Sequence, residues 1–178
     1  NHPSIYIWGI LNECASDTAY GRECYKTQLE LIKSLDVTRP RSFSSCRFKT
    51  DICFDLVDVV SYNIYPKWYH NTPVAMYLDD LYKWVQTTGG AGKPFLITEV
   101  GAGAIYGYRT PAKVKWSEEY QVLALEEQLG AILSYKDCSG VYIWQFCDVR
   151  VTNDWWNTRP RTMNNKGIVD EYRRPKLS

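Results

Sequence analysis

Apolar and polar positions along the chain follow two alternating rhythms. Ser4–Asn12 is apolar almost throughout and predicts a strand. Arg22–Leu35 carries Tyr25, Leu29, Ile32 and Leu35 at spacings of three and four, which predicts an amphipathic helix. Arg41–Ser45 reads as a short strand and Leu56–Tyr62 as a Val-rich one. Val74–Thr88 predicts a helix with Tyr77, Leu81, Trp84 and Val85 on one side, stopped by Gly89, Gly90 and Gly92. Pro94–Glu99 is a further strand. Glu118–Lys136 is a helix with Val122, Leu125, Leu129 and Ile132 on its apolar face, and Val141–Gln145 is a last strand. A loop of about fifteen residues follows, longer than an ordinary connection, which points to function or disorder.

Strands that are apolar on both faces and separated by helices imply a parallel sheet covered by helices, an α/β fold. A doubly wound sheet fits the length of 178 residues, but no GxGxxG follows the first strand. An eight-stranded (β/α) barrel needs roughly 250 residues.

Composition narrows the partners. With 45% hydrophobic residues, 23% charged residues and a net charge of +1, nothing points to nucleic acid or a membrane surface. The longest strongly apolar run, Ile5 to Leu11, is too short to span a bilayer. The six cysteines, at 14, 24, 46, 53, 138 and 147, show no CxxC spacing and no His cluster. That argues against a zinc site and for free thiols in a reducing compartment, the cytoplasm. No cofactor is implied. Fourteen Tyr and seven Trp supply aromatic faces suited to sugars, although most fit a core equally well.

The candidate chemistry lies where strands end. The first strand ends in Asn12-Glu13, the Val-rich strand runs on to Asn63 and Tyr65, the fourth ends in Thr98-Glu99, and the last in Trp144-Gln145. In a parallel sheet these ends share one face, which in barrel enzymes holds the active site. Two carboxylates, an amide, a phenol and an indole there match a glycosidase. Singly, each has a plainer reading: helix cap or ion pair for the Glu residues, turn for Asn63, rim for Tyr65, core for Trp144.

Taken together, these segments resemble a known family. NHPSIYIWGILNE resembles the acid/base segment of glycoside hydrolase family 2, and KPFLITEVGA resembles its nucleophile segment. SYNIYPKWY, GVYIWQFCDVR and RPRTMNNKGIVDEYRRPK complete the pattern, which is nearest to the β-glucuronidases. The resemblance implies a partial (β/α)8 TIM barrel, strands four to eight, over residues 1–178. The chain would then be the C-terminal half of a catalytic barrel, cut from a longer enzyme and on its own inactive. The abrupt opening at NHPSIYIW fits that expectation.

The resemblance also implies roles in a retaining mechanism on β-D-glucuronides. Glu99 is the nucleophile, with Tyr65 hydrogen-bonded to it. Glu13 is the acid and then the base. Asn12 holds the sugar 2-hydroxyl, Trp144 floors the sugar site, and Asn63 and Tyr69 lie near the substrate. Asn164 and Lys166, two apart in RTMNNKG, would read the sugar acid, with Arg159 or Arg161 as a further cation. From spacing alone, a solvated basic loop is the plainer reading of that segment. The hexad DVRVTN shapes the aglycone side or is a surface loop. The resemblance further implies a non-proline cis peptide between Trp144 and Gln145, and a homo-oligomeric parent enzyme. Two alternatives stay open: another sugar, as in a β-galactosidase or β-galacturonidase, or an inactive carbohydrate-binding fragment.

Overall fold

A computed structural model describes residues 2–152 and 159–178. Its main sheet has five strands in the order β1-β2-β3-β4-β5. These are β1 (Trp8–Asn12), β2 (Arg41–Ser45), β3 (Val60–Asn63), β4 (Phe95–Val100) and β5 (Cys138–Ile143). Helices α1 (Ala19–Leu35), α2 (Val74–Val85) and α3 (Glu118–Ser134) connect them. Neighbours in sequence are neighbours in the sheet, and β1 pairs with β2, and β2 with β3, in parallel. This is the strand-helix alternation of a barrel, open among the described residues. A second, two-stranded sheet pairs β6 (Val149–Arg150) antiparallel with β7 (Met163–Asn164).

The register of β1 on β2 contains a bulge. Gly9 pairs with Ser42 and Asn12 with Ser44, so β1 advances three residues where β2 advances two. Bulges bend a strand and re-aim its side chains.

Contacts divide the chain into two compact units. The first comprises residues 1–64, 75–98 and 135–140. Its core is aromatic and continuous: Tyr25 against Phe43 at 4.4 Å, Phe43 stacked on Phe54 at 5.9 Å, and Phe54 against Tyr62 at 5.7 Å between centroids. Leu78, Leu81 and Val85 of α2 and Phe95 and Ile97 of β4 are buried there. Burial of each such side chain contributes about 1.5–3 kcal/mol. The second comprises residues 65–74, 99–134 and 141–178. Trp68, Ala102 and Ala124 are buried at its centre, with Tyr65, Trp116 and Tyr120 packed around them.

Several boundaries depart from the pattern. Ser4–Ile7 lies outside β1, although it is apolar. The chain opposite it, Asp36–Arg39, is turned aside by Asp36, whose carboxylate takes hydrogen bonds from Thr38, Trp8 and Arg39. With no ladder partner, the Ile5 carbonyl instead accepts from Arg39 Nε at 2.5 Å. Helix α1 starts three residues early because Thr18 Oγ1 caps it, accepting from the Gly21 N–H at 3.0 Å. Strand β3 starts late because Phe54–Leu56 forms a 3₁₀ turn and the Asp58 carboxylate is held by Arg41. Strand β5 starts early, at Cys138. The long loop after Gln145 contains β6, which pairs with β7 just beyond the loop.

Candidate active-site residues

In the first unit, three strand ends meet through one side-chain amide. Asn63, at the end of β3 and 5% exposed, donates from Nδ2 to Oδ1 of Asn12 and to Oε1 of Glu13, each at 2.9 Å. An amide nitrogen carries two hydrogens, and this one places both. Its Oδ1 accepts from the Thr98 hydroxyl of β4 at 2.8 Å. Glu13 follows the bulged strand with φ of +53°, a left-handed conformation that side chains with a Cβ adopt at a strain of roughly 1–3 kcal/mol. Its N–H donates to the Ser44 carbonyl at 2.9 Å. Arg47 supports the same turn, donating to the carbonyls of Glu13 at 3.4 Å and Cys14 at 3.2 Å. Asn12 and Glu13 are exposed, while the residue that orients them is buried.

In the second unit, Glu99 is buried at the end of β4 and accepts from the Tyr65 hydroxyl at 2.5 Å. A phenol donor favours the ionised carboxylate that nucleophilic attack requires. After Tyr65 the chain turns on Pro66 and Lys67, the latter at φ +68°, and bonds from the N–H groups of Trp68 and Tyr69 to the Tyr65 carbonyl fold it back. Tyr69 thereby packs edge-on against Tyr65, with centroids 5.2 Å apart.

Lys166 completes this group. It is 2% exposed, and its ammonium lies 5.0, 5.5 and 4.9 Å from the ring centroids of Tyr65, Trp68 and Tyr69. It donates to the Tyr69 hydroxyl oxygen at 2.9 Å. Burial lowers its pKa below the ordinary lysine value, opposed by the Tyr69 hydroxyl and by the charge of Glu99. At Tyr69 desolvation works upward, but Lys166 and Arg159 outweigh it and hold the phenol below its ordinary value. Arg159 Nη2 reaches the same hydroxyl at 3.3 Å, whereas Arg161 pairs with Glu171 at 3.5 Å. Of the two arginine candidates, Arg159 is therefore the one beside Lys166. Lys166 is no solvated loop residue.

Asn164 lies in β7, and its Oδ1 accepts from the Lys166 N–H at 3.3 Å. Trp144 follows β5, is 38% exposed, and its N–H donates to the Val100 carbonyl at 2.9 Å. The Trp144–Gln145 peptide is cis. Gln145 bonds through its backbone to Lys166 and Ile168, each at 3.0 Å, tying the end of β5 to the Asn-x-Lys segment. Within DVRVTN, Asp148 is neither aglycone wall nor surface loop, since it is 3% exposed and hydrogen-bonded to Gly167 and Asn165. Asn153, the last residue of that hexad, lies outside the described residues.

Known proteins resemble the chain in sequence and in fold. The family model "Glycosyl hydrolases family 2, TIM barrel domain" matches residues 1–178. The rat β-glucuronidase is 33% identical over 190 residues, covering 100% of this chain and 28% of the rat protein. A family 2 β-galacturonidase from Eisenbergiella tayi, solved with galacturonate, superposes with a TM-score of 0.98 at 77% identity, covering 99% of this chain and 32% of that one. The β-D-glucuronidase of Dictyoglomus thermophilum superposes with a TM-score of 0.89 at 28% identity, covering 99% of this chain and 31% of that one. The chain thus spans about a third or less of the relatives it matches, within the barrel that carries their family's name. It belongs to glycosyl hydrolase family 2, as part of that family's TIM-barrel domain.

Proposed function

We propose that the protein is a retaining glycosidase of β-D-uronides, and that its preferred sugar is galacturonate. Glu99 attacks C1, and Glu13, protonated, gives its proton to the leaving oxygen as the glycosidic bond breaks. The covalent glycosyl–Glu99 ester is then hydrolysed: Glu13, now ionised, takes a proton from water, whose oxygen attacks C1 and releases Glu99. Tyr65 steadies the Glu99 carboxylate before attack. Asn12 meets the sugar 2-hydroxyl, Asn63 orients Asn12 and Glu13, and Trp144 offers a stacking face.

The observation that carries the uronide reading is the Lys166 ammonium. A buried cation is costly unless it is paired. Among the described residues this one meets a hydroxyl oxygen and ring faces, and it is close enough to Glu99 to feel its charge. A sugar carboxylate would supply a direct counter-charge, with Tyr69, Asn164 and Arg159 beside it.

Galacturonide is ranked first because a β-galacturonidase shares 77% identity with the chain. Glucuronide is the second reading, favoured by the β-glucuronidases among curated relatives, such as the rat enzyme at 33%. The test is to assay the complete gene product on 4-nitrophenyl β-D-galacturonide, β-D-glucuronide and β-D-galactoside. We expect kcat/KM to be highest for the galacturonide. A glucuronide optimum would favour the second reading. A galactoside optimum would overturn the uronide proposal, and no turnover of any glycoside would leave a carbohydrate-binding role.

A further inference from the structure

We infer that the buried pair of Asp148 and Lys176 is the positioning element of the Asn164–Gly167 segment, and so sets how strongly the site holds a sugar acid. This rests on the uronide reading above. The two side chains are 1% and 0% exposed and meet at 2.8 Å. Every polar atom of the pair is used, and most of their partners belong to one short segment. Lys176 Nζ donates to Asp148 Oδ1, to the Asn165 carbonyl at 3.0 Å and to the Ala104 carbonyl at 2.7 Å, which accounts for its three hydrogens. Asp148 Oδ1 also accepts from the Gly167 N–H at 2.9 Å, and Oδ2 from the Asn165 side chain at 3.1 Å.

Lys166 therefore sits between two residues whose backbones are fixed by the same ion pair. Gly167 approaches so closely that a Cβ there would lie 2.3 Å from the Asp148 nitrogen and 2.3 Å from the Val169 carbonyl oxygen. The Asn165 carbonyl is gripped a second time by the Ala104 N–H at 2.9 Å, which links the segment to the chain just beyond Glu99. Burying an ion pair is no efficient route to stability, since apolar residues of similar size usually do as well. What it supplies here is directional: fixed donors and acceptors that hold the backbone from which the Lys166 side chain reaches Tyr69. The hydrogen bonds of Asp148 and Lys176 described above go to each other, to this segment and to Ala104, so both act through the segment.

Replacing one partner leaves a buried charge unpaired and threatens folding. The informative variant is therefore the double replacement Asp148→Asn with Lys176→Met, made in the complete gene product. The expected result is a rise in KM for the uronide of at least about tenfold, with kcat changed much less, and little change for the galactoside. A double variant that folds and keeps its uronide-to-galactoside ratio within about twofold overturns the inference. If it does not fold, amide hydrogen exchange on the unmutated protein decides. The Gly167 amide should exchange as slowly as those of β4, and loop-like exchange there overturns the inference. Failure of the uronide reading would show separately, as absent uronide preference in the unmutated enzyme.

Discussion

The Tyr65 hydroxyl donates to Oε2 of Glu99 at 2.5 Å, linking the loop after β3 to the end of β4. A hydrogen bond to a charged group contributes about 1.5–3 kcal/mol. Tyr65→Phe should therefore lower kcat/KM by roughly ten- to 150-fold while leaving the fold intact. Steady-state kinetics with a circular-dichroism melt checks both halves. Unchanged kinetics would remove Tyr65 from the machinery.

The roles of the two glutamates separate chemically. In Glu13→Ala the acid/base is gone, so azide should attack the glycosyl-enzyme and give a product of retained, β configuration. In Glu99→Ala the nucleophile is gone, so azide should enter from the vacated face and give the inverted, α product. Proton NMR of the glycosyl azides distinguishes the outcomes. Identical products from both variants would mean that the roles are wrongly assigned.

Lys166→Ala should cost about 1.5–3 kcal/mol in kcat/KM on a uronide, the size of a charge-assisted contact. The neutral galactoside should lose far less. Equal losses on both would make Lys166 a support for its segment and no reader of the acid.

Lys166 also predicts a pH effect. Burial holds its pKa below the ordinary 10.5. The ammonium is the binding form, so its proton is lost at lower pH than in an exposed lysine. KM for the uronide should therefore climb on the alkaline side before pH 10.5 is reached. Tyr69, also held low, would add negative charge there and push the same way. The galactoside KM should stay flat, and Tyr69→Phe separates the two groups.

The sheet and helices were legible because their apolar periods are strong. Phe95, Ile97 and Val100 in β4 are buried as their pattern requires. Glu99 and Asn63 were legible as polar residues closing apolar strands. What stayed hidden depends on contacts made far along the chain. Nothing local to Ser4–Ile7 reveals that Asp36 removes its pairing partner. The motif marks Lys166 as of interest, but its burial under three rings depends on Tyr65, Trp68 and Tyr69, about a hundred positions earlier. Asp148 sits in a mixed polar stretch, DVRVTN, whose pattern carries no sign of burial. Its partner Lys176 closes a run of basic residues that reads as surface.

The bulge between Gly9 and Asn12 makes length, more than side-chain identity, the fragile variable of β1. Exchanging Ile10 or Leu11 for another aliphatic residue leaves the frame untouched. Deleting either would hardly alter composition, yet it would erase the extra residue, straighten the bend that re-aims the end of β1 and draw Asn12 from its place. Asn63 would then offer its amide to a position that Asn12 no longer occupies. A mutational library through this strand should therefore vary its letters freely and hold their number constant.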